Sequence, residues 1–163
     1  MNELLEDVFY GAARMLMGSG LADEPLLAAA REEFAGQQYC VVREWLILDV
    51  MASEGDQKLI SARDLQPVLL YAQRVMFDTR GVRQGGVLLT GFLRQYEDCF
   101  FEAEEMVYVL GGRGARKHIS MPALRELSKM CGVIRMNPSQ RGCWPTLEAC
   151  AAGDREGLPR AQR

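Results

Sequence analysis

Apolar residues recur at helical spacing along most of the chain. Residues 3–17 place Leu, Val, Phe and Ala side chains on one face, and a Gly-Ser-Gly run ends that pattern. A second helix is predicted from Asp23, with Pro25 in its first turn, to Gly36. Residues 38–52 are rich in β-branched and aromatic residues, which suits a strand, but their apolar positions also follow a helical stripe. Because no second strand is recognised nearby, this segment is interpreted as a buried helix.

Three further helices are predicted after residue 60. Asp64 is expected to cap a helix that runs to about Arg80. The strongest apolar stripe of the sequence predicts a long helix over 87–110, and its acidic pairs Glu97-Asp98 and Glu104-Glu105 lie off that stripe. Ser120 is expected to cap a shorter helix that ends near Cys131.

Together these patterns predict an all-α fold. We expect a compact bundle of about six helices, arranged as helix-loop-helix pairs, in one domain over residues 1–136. Residues 137–163 contain Pro, Gly, Arg and small residues, and they are expected to form an irregular basic tail.

The composition is that of an ordinary soluble protein. The chain has 163 residues, of which 48% are hydrophobic and 25% charged. No apolar run reaches the roughly 18 residues of a membrane span, and the N-terminal sequence lacks the pattern of a signal or transit peptide. The five cysteines are scattered and include no CxxC pair, which favours reduced thiols. These features predict an intracellular, cytoplasmic protein with no membrane partner.

The charge is unevenly distributed. Residues 1–110 hold 9 Lys and Arg against 18 Asp and Glu, a net charge of −9. Residues 111–163 hold 10 against 4, a net charge of +6. The acidic body is suited to a basic partner and the basic end to an acidic one, unless the two parts lie against each other.

Two segments of the chain repeat, ISARDL at 60–65 and ISMPAL at 119–124. Superposing Ile60 on Ile119 aligns the serine that follows each and the leucine five residues on. Over residues 38–132 the chain resembles an EF-hand pair of the calmodulin and myosin light-chain kind. In that family such an Ile lies near the end of the calcium loop and such a Leu opens the exit helix. The resemblance implies a scaffold whose groove accepts an amphipathic helix of a partner.

The loops lack the ligands that calcium requires. Calcium prefers several carboxylates, but the first loop, counted from Ser53, offers only Asp64 as a charged ligand. The second loop instead carries three cations, Arg113, Arg116 and Lys117. The resemblance therefore implies a degenerate pair, and no metal or other cofactor is predicted.

The predicted function is a non-enzymatic protein-interaction module, such as an adaptor, a light-chain-like subunit or a small inhibitor. Its partner would be another protein, with a basic amphipathic helix as the segment that binds in an apolar groove beside the acidic surface. The residues expected to line this groove are Phe92, Tyr96, Phe100, Met106, Leu127 and Met130.

Nucleic-acid binding through the basic segment 113–141 is the alternative. The residues expected to contact phosphates or bases are Arg113, Arg116, Lys117, Arg135 and Arg141. Part of this segment loosely resembles a helix-turn-helix, although Pro138 would fall inside the recognition helix.

The sequence predicts no catalytic site. A single histidine, His118, excludes HExxH zinc sites and paired ExxH di-iron sites. His118 with Cys131, Cys143 and Cys150 could supply four zinc ligands, but their irregular spacing favours free thiols.

Overall fold

The computed structural model describes residues 3–81 and 86–131, and this part of the chain is mostly β rather than all-α. Its eight strands are β1 (Arg14–Met17), β2 (Tyr39–Val50), β3 (Val68–Asp78), β4 (Leu88–Leu89), β5 (Leu93–Glu97), β6 (Phe100–Ala103), β7 (Val107–Leu110) and β8 (Arg113–Ile119). Its helices are α1 (Glu3–Tyr10), α2 (Asp23–Glu33), α3 (Glu54–Ser61) and α4 (Met121–Met130). The prediction of a six-helix bundle is therefore wrong.

All eight strands belong to one mixed sheet centred on β2. One edge of β2 pairs with β3 in antiparallel fashion, and the other pairs in parallel first with β7 and then with β8. The sheet continues from β7 to β6 and β5, from β8 to β1, and from β3 to β4. A bridge between Gln66 and Leu93 brings β5 back towards β3, so that the sheet curls into a half-barrel.

The sheet bends along a line that crosses β2 and the β7–β8 junction. Val42 and Trp45 both face the inside of the curl although they are three residues apart, which an unbroken two-residue alternation does not allow. Between them Glu44 has a φ of 54°, and Gly112 at the β7–β8 junction has a φ of 69°. These left-handed residues let both strands change direction at the same level.

Both faces of the sheet are covered. The interior cluster is formed by inward side chains of six strands, among them Ile47, Leu70, Phe101 and Tyr108. On the outer face, α1, α3 and α4 cover one end and α2 covers the other. None of the described helices is both long and apolar enough to cross a membrane.

The predicted helix over 38–52 is the central strand β2. Most of its residues are buried because helices cover one face of this strand and the curled sheet covers the other. A strand buried on both sides reads as a continuous apolar run, which does not distinguish it from a helix.

The two longer predicted helices also form strands. Residues 64–80 give a turn and then β3, and residues 87–110 give the four strands β4 to β7. Ser53, rather than Asp64, caps the neighbouring helix: its hydroxyl accepts a hydrogen bond from the Asp56 N–H. Asp64 lies in the turn before β3 with a φ of 60°.

The two repeated segments have different structures. Ile60 lies inside α3, whereas Ile119 ends β8 and Ser120 caps α4. The helix-loop-helix pairs expected from the repeat are therefore absent from the described residues. Two predicted helices are confirmed: α2 starts at Asp23, and α4 follows its Ser120 cap with Pro122 in the first turn. The predicted tail over 137–163 lies outside the described residues.

Candidate functional site

The helix α2 presents a second, unburied face to a groove. Leu26 and Ala30 are buried against the sheet and anchor the helix there. A groove of about 470 Å³, here called the α2 groove, lies beside the helix and is lined by Glu24, Leu27, Ala28, Arg31, Tyr39 and Phe77. The four helix residues follow the i, i+3, i+4, i+7 spacing of one helical face. One face of α2 therefore packs in the core, and a second, partly apolar face borders the groove and can contact a binding partner.

A row of aromatic rings connects the α2 groove to the core. Phe100 packs edge-on against Phe34, whose ring centroid is 5.9 Å from that of Tyr39. Tyr39 in turn lies 5.5 Å from Phe77. Tyr39 is buried, whereas Phe77 is 37% exposed at the end of the row. A supported, partly exposed aromatic ring is the type of side chain that dominates binding energy at protein interfaces.

Ion pairs fix the N-terminal end of α2. The Asp23 carboxylate accepts a hydrogen bond from Arg43 Nε at 2.6 Å and lies 3.5 Å from Arg74 Nη2. Arg43 also donates to the Leu21 carbonyl at 2.7 Å. These contacts tie the helix to β2 and β3, so the walls of the α2 groove are held by three elements. Glu24 and Arg31 have no ion-pair partner among the described residues, and each is exposed.

Two hydrogen-bonded pairs of polar groups lie close to the thiol of Cys40 in β2. The buried Asp78 carboxylate accepts hydrogen bonds from Arg80 Nη2 at 2.8 Å and Nε at 3.2 Å. The Tyr108 hydroxyl donates to Glu105 at 2.6 Å. Burial, reinforced by the Asp78 charge, raises the pKa of the Cys40 thiol well above its ordinary value. Cys40 is fully buried and protonated in this arrangement, so it is not placed to attack an external substrate.

The six residues predicted to line a groove are divided among separate parts of the structure. Phe92 and Leu127 are buried beneath the helices of one end, and Met106 is buried inside the curl, where Tyr96 packs against the same cluster. Met130 is 44% exposed at the end of α4. Phe100 contacts the aromatic row of the α2 groove through Phe34, so it is the one predicted residue connected to this groove.

Sequence reasoning missed the residues that line the α2 groove. A signal was present in the α2 sequence DEPLLAAAREE, where apolar residues cover more of the helix circumference than one buried face requires. Phe77 could not be recognised as a groove residue, because the sequence pattern predicts a helix over 64–80 where the structure has β3.

The described cations of the alternative nucleic-acid segment are largely engaged in the fold. Arg116 donates to both oxygens of Asp49, at 2.7 and 2.8 Å. Lys117 is 8% exposed and donates to the carbonyl of Asp7 in α1. Arg113 is exposed, and Arg135 and Arg141 lie outside the described residues.

The histidine and cysteine residues do not converge in the part of the chain that the structure describes. His118 is exposed on β8 and Cys131 is buried after α4. Cys143 and Cys150 lie outside the described residues. Within residues 3–81 and 86–131 no group of three or more His, Cys, Asp or Glu side chains could hold a metal ion.

The model of the family described as "Domain of unknown function (DUF6957)" matches residues 17–126. The match spans more than half of the chain. This protein belongs to the DUF6957 family. The matched segment contains the entire α2 groove, whereas α1 and most of β1 precede it. No curated protein and no solved structure matches the chain.

Proposed function

We propose that this DUF6957 protein is a non-enzymatic interaction module that binds another protein in the α2 groove. The observation that carries the proposal is the second face of α2, where Leu27 and Ala28 border a groove that also contains the partly exposed Phe77. A cleft of this size admits a few side chains of a partner. The aromatic row behind Phe77 gives it the rigid support that an anchoring contact requires.

The charge around the α2 groove favours a basic segment of the partner. α2 carries four acidic residues, Asp23, Glu24, Glu32 and Glu33, against the single cation Arg31. Arg43 and Arg74 lie against Asp23, so the helix and its two arginine partners keep a net charge of −1, carried by the exposed glutamates. Acidic charges around an apolar cleft accelerate the approach of a basic segment, while the apolar contacts hold it in place.

The test is a pull-down of the tagged full-length protein from its native host, at low and at high salt, with both protein and nucleic acid quantified. We expect a stoichiometric protein partner that remains bound at high salt. Phe77→Ala should weaken its binding at least tenfold, which corresponds to about 1.4 kcal/mol. Ala28→Arg should abolish binding because it places a long cation in the cleft.

Two matched variants control for effects unrelated to the α2 groove. Ala29→Arg adds the same charge at the next, exposed position of α2, and Leu59→Ala truncates an exposed apolar residue on α3. Both should bind as the wild type does. A partner retained by the two groove variants would contradict the proposal, as would recovery of nucleic acid alone and only at low salt.

A further inference from the structure

Among the strands that the structure describes, β1 is an edge strand of the sheet, and it has exposed apolar side chains. It pairs with β8 on one side, and no described strand pairs with its other side. Met15 is 62% exposed and Met17 is 63% exposed. Edge strands are usually protected by prolines or by charged residues, because unpaired N–H and C=O groups attract another strand. Of the four residues of β1, only Arg14 is charged.

The hydrogen bonds to β8 show which backbone groups of β1 have no partner among the described strands. Gly18 donates its N–H to the Gly112 carbonyl at 2.8 Å. Because these groups alternate in direction along a strand, Leu16 also directs its N–H and C=O towards β8. The N–H and C=O groups of Met15 and Met17 therefore point to the open edge.

We propose that β1 pairs in antiparallel fashion with β1 of a second copy, about a two-fold axis at Leu16. In this register Met15 lies opposite the partner subunit's Met17, and both residues carry the outward backbone groups that form hydrogen bonds. The Leu16 residues of the two copies face each other as the non-hydrogen-bonded pair between them. The two sheets become one continuous sheet through an isologous interface.

Side chains of the strand fit this self-pairing. Met15 and Met17 lie on the outer face, where each pairs across the axis with a methionine of the other copy. Met15 also lines a groove of about 500 Å³ together with Phe9, Leu46 and Tyr71, so the methionine pairs extend an apolar surface that already exists. The register places Arg14 opposite the partner subunit's Gly18, and no like charges face each other.

A charge exchange at two positions tests the register. The wild type should be a dimer in sedimentation-velocity ultracentrifugation. Met15→Lys with Met17→Lys places two lysines opposite each other on either side of the axis and should weaken the dimer at least tenfold. Met15→Lys with Met17→Glu places a lysine opposite a glutamate instead and should restore it. Both positions are exposed, so circular dichroism should show the same fold for all three proteins.

Cysteine cross-linking provides a second measurement. A non-hydrogen-bonded pair has its Cα atoms about 4.5 Å apart, within the range that disulfides span. Leu16→Cys should therefore form more disulfide-linked dimer on mild oxidation than the wild type, whose own thiols set the background. Met15→Cys and Met17→Cys should cross-link poorly, since each residue is about 7–8 Å from its own twin.

Several results would overturn the proposal. A wild type that is monomeric at the highest concentration it tolerates would do so. A Lys/Glu variant that remains as weakly associated as the Lys/Lys variant would show that the methionines do not face each other. Efficient cross-linking at position 15 or 17 but not at 16 would show a different register or a different partner for the edge.

Discussion

Gly114 occupies a position that no other residue could occupy without moving a buried ring. It lies on β8 against Trp45 of β2, and a Cβ at this position would approach three atoms of the indole to 2.2–2.4 Å. Trp45 is 3% exposed, and its Nε1 donates a hydrogen bond to the Gly111 carbonyl at 3.1 Å. The ring is therefore held in place on the inner face of the curl, and the close packing of β8 on β2 depends on the missing side chain.

We predict that Gly114→Ala lowers the free energy of unfolding by about 1–3 kcal/mol, the usual cost of forcing extra volume into a packed core. Urea denaturation monitored by Trp fluorescence measures this value. Gly20→Ala is the matched control, because a Cβ at Gly20 meets no atom within 4 Å. Equal effects of the two substitutions would show that the indole moves aside freely.

At the scale of the elements, the bend in β2 depends on one residue with a left-handed backbone. Glu44 has a φ of 54° and an exposed side chain, so its conformation serves the bend and not a side-chain contact in the core. Gln73, on the neighbouring strand β3, is also exposed but has no positive φ. We therefore expect the two positions to respond oppositely to the same pair of substitutions.

Glu44→Val should destabilise the protein by about 1–2 kcal/mol relative to Glu44→Gly, because β-branched residues are strained at positive φ. At Gln73 the order should reverse, since valine suits an extended strand and glycine weakens one by about 0.5–1 kcal/mol. Four thermal or urea denaturation curves give both comparisons. If valine is the better residue at both positions, the bend does not need the left-handed conformation.

Only elements with local signals could be predicted from the sequence. The helix α2 begins at Asp23 and α4 follows its Ser120 cap, and each has a proline in its first turn. These signals lie within a few residues of each helix start. The β-branched and aromatic residues of β2 suit a strand, but burial on both faces removed the alternation that would have distinguished it from a helix. Its partners on β7 and β8 are about 70 residues away in sequence, as for Val50 and Ile119, so the pairing leaves no local pattern.

The stretch 87–110 shows how two structures share one pattern. Its acidic pairs, Glu97-Asp98 and Glu104-Glu105, are seven residues apart, which is about two helical turns. In the structure they lie where one short strand ends and the next begins, and Asp98 has the positive φ of a tight turn. The seven-residue spacing that is typical of the solvent-exposed face of a helix is here the distance from one turn between strands to the next.

At the scale of the whole molecule, ionisable groups are buried on both faces of the sheet. Cys40 and Tyr108 lie inside the curl, whereas Tyr71 and Cys131 lie beneath the helices of the outer face. Burial raises the pKa of each of these groups, since the anion is poorly solvated there.

We therefore predict that stability falls at high pH through these buried acids. Burial raises the pKa of Cys131 to about 11 from its ordinary 9.0, and that of Tyr71 to about 12 from 10.0. Below pH 9 both states hold these protons, and the full stability is present. Above that pH the unfolded chain loses the thiol proton while the folded protein retains it. Each such group then removes about 1.4 kcal/mol per pH unit.

Urea denaturation between pH 8 and 11 measures this loss, because the pKa of the Cys131 thiol rises from 9.0 to about 11 on folding. The free energy of unfolding should fall from about pH 9 upward, and the slope should become shallower in Cys131→Ala over pH 9–11. The variant is expected to be less stable below pH 9 because it leaves a small cavity, so the slope and not the absolute value is the test. An unchanged slope in the variant would mean that Cys131 reaches solvent in the folded protein and ionises as it does in the unfolded chain.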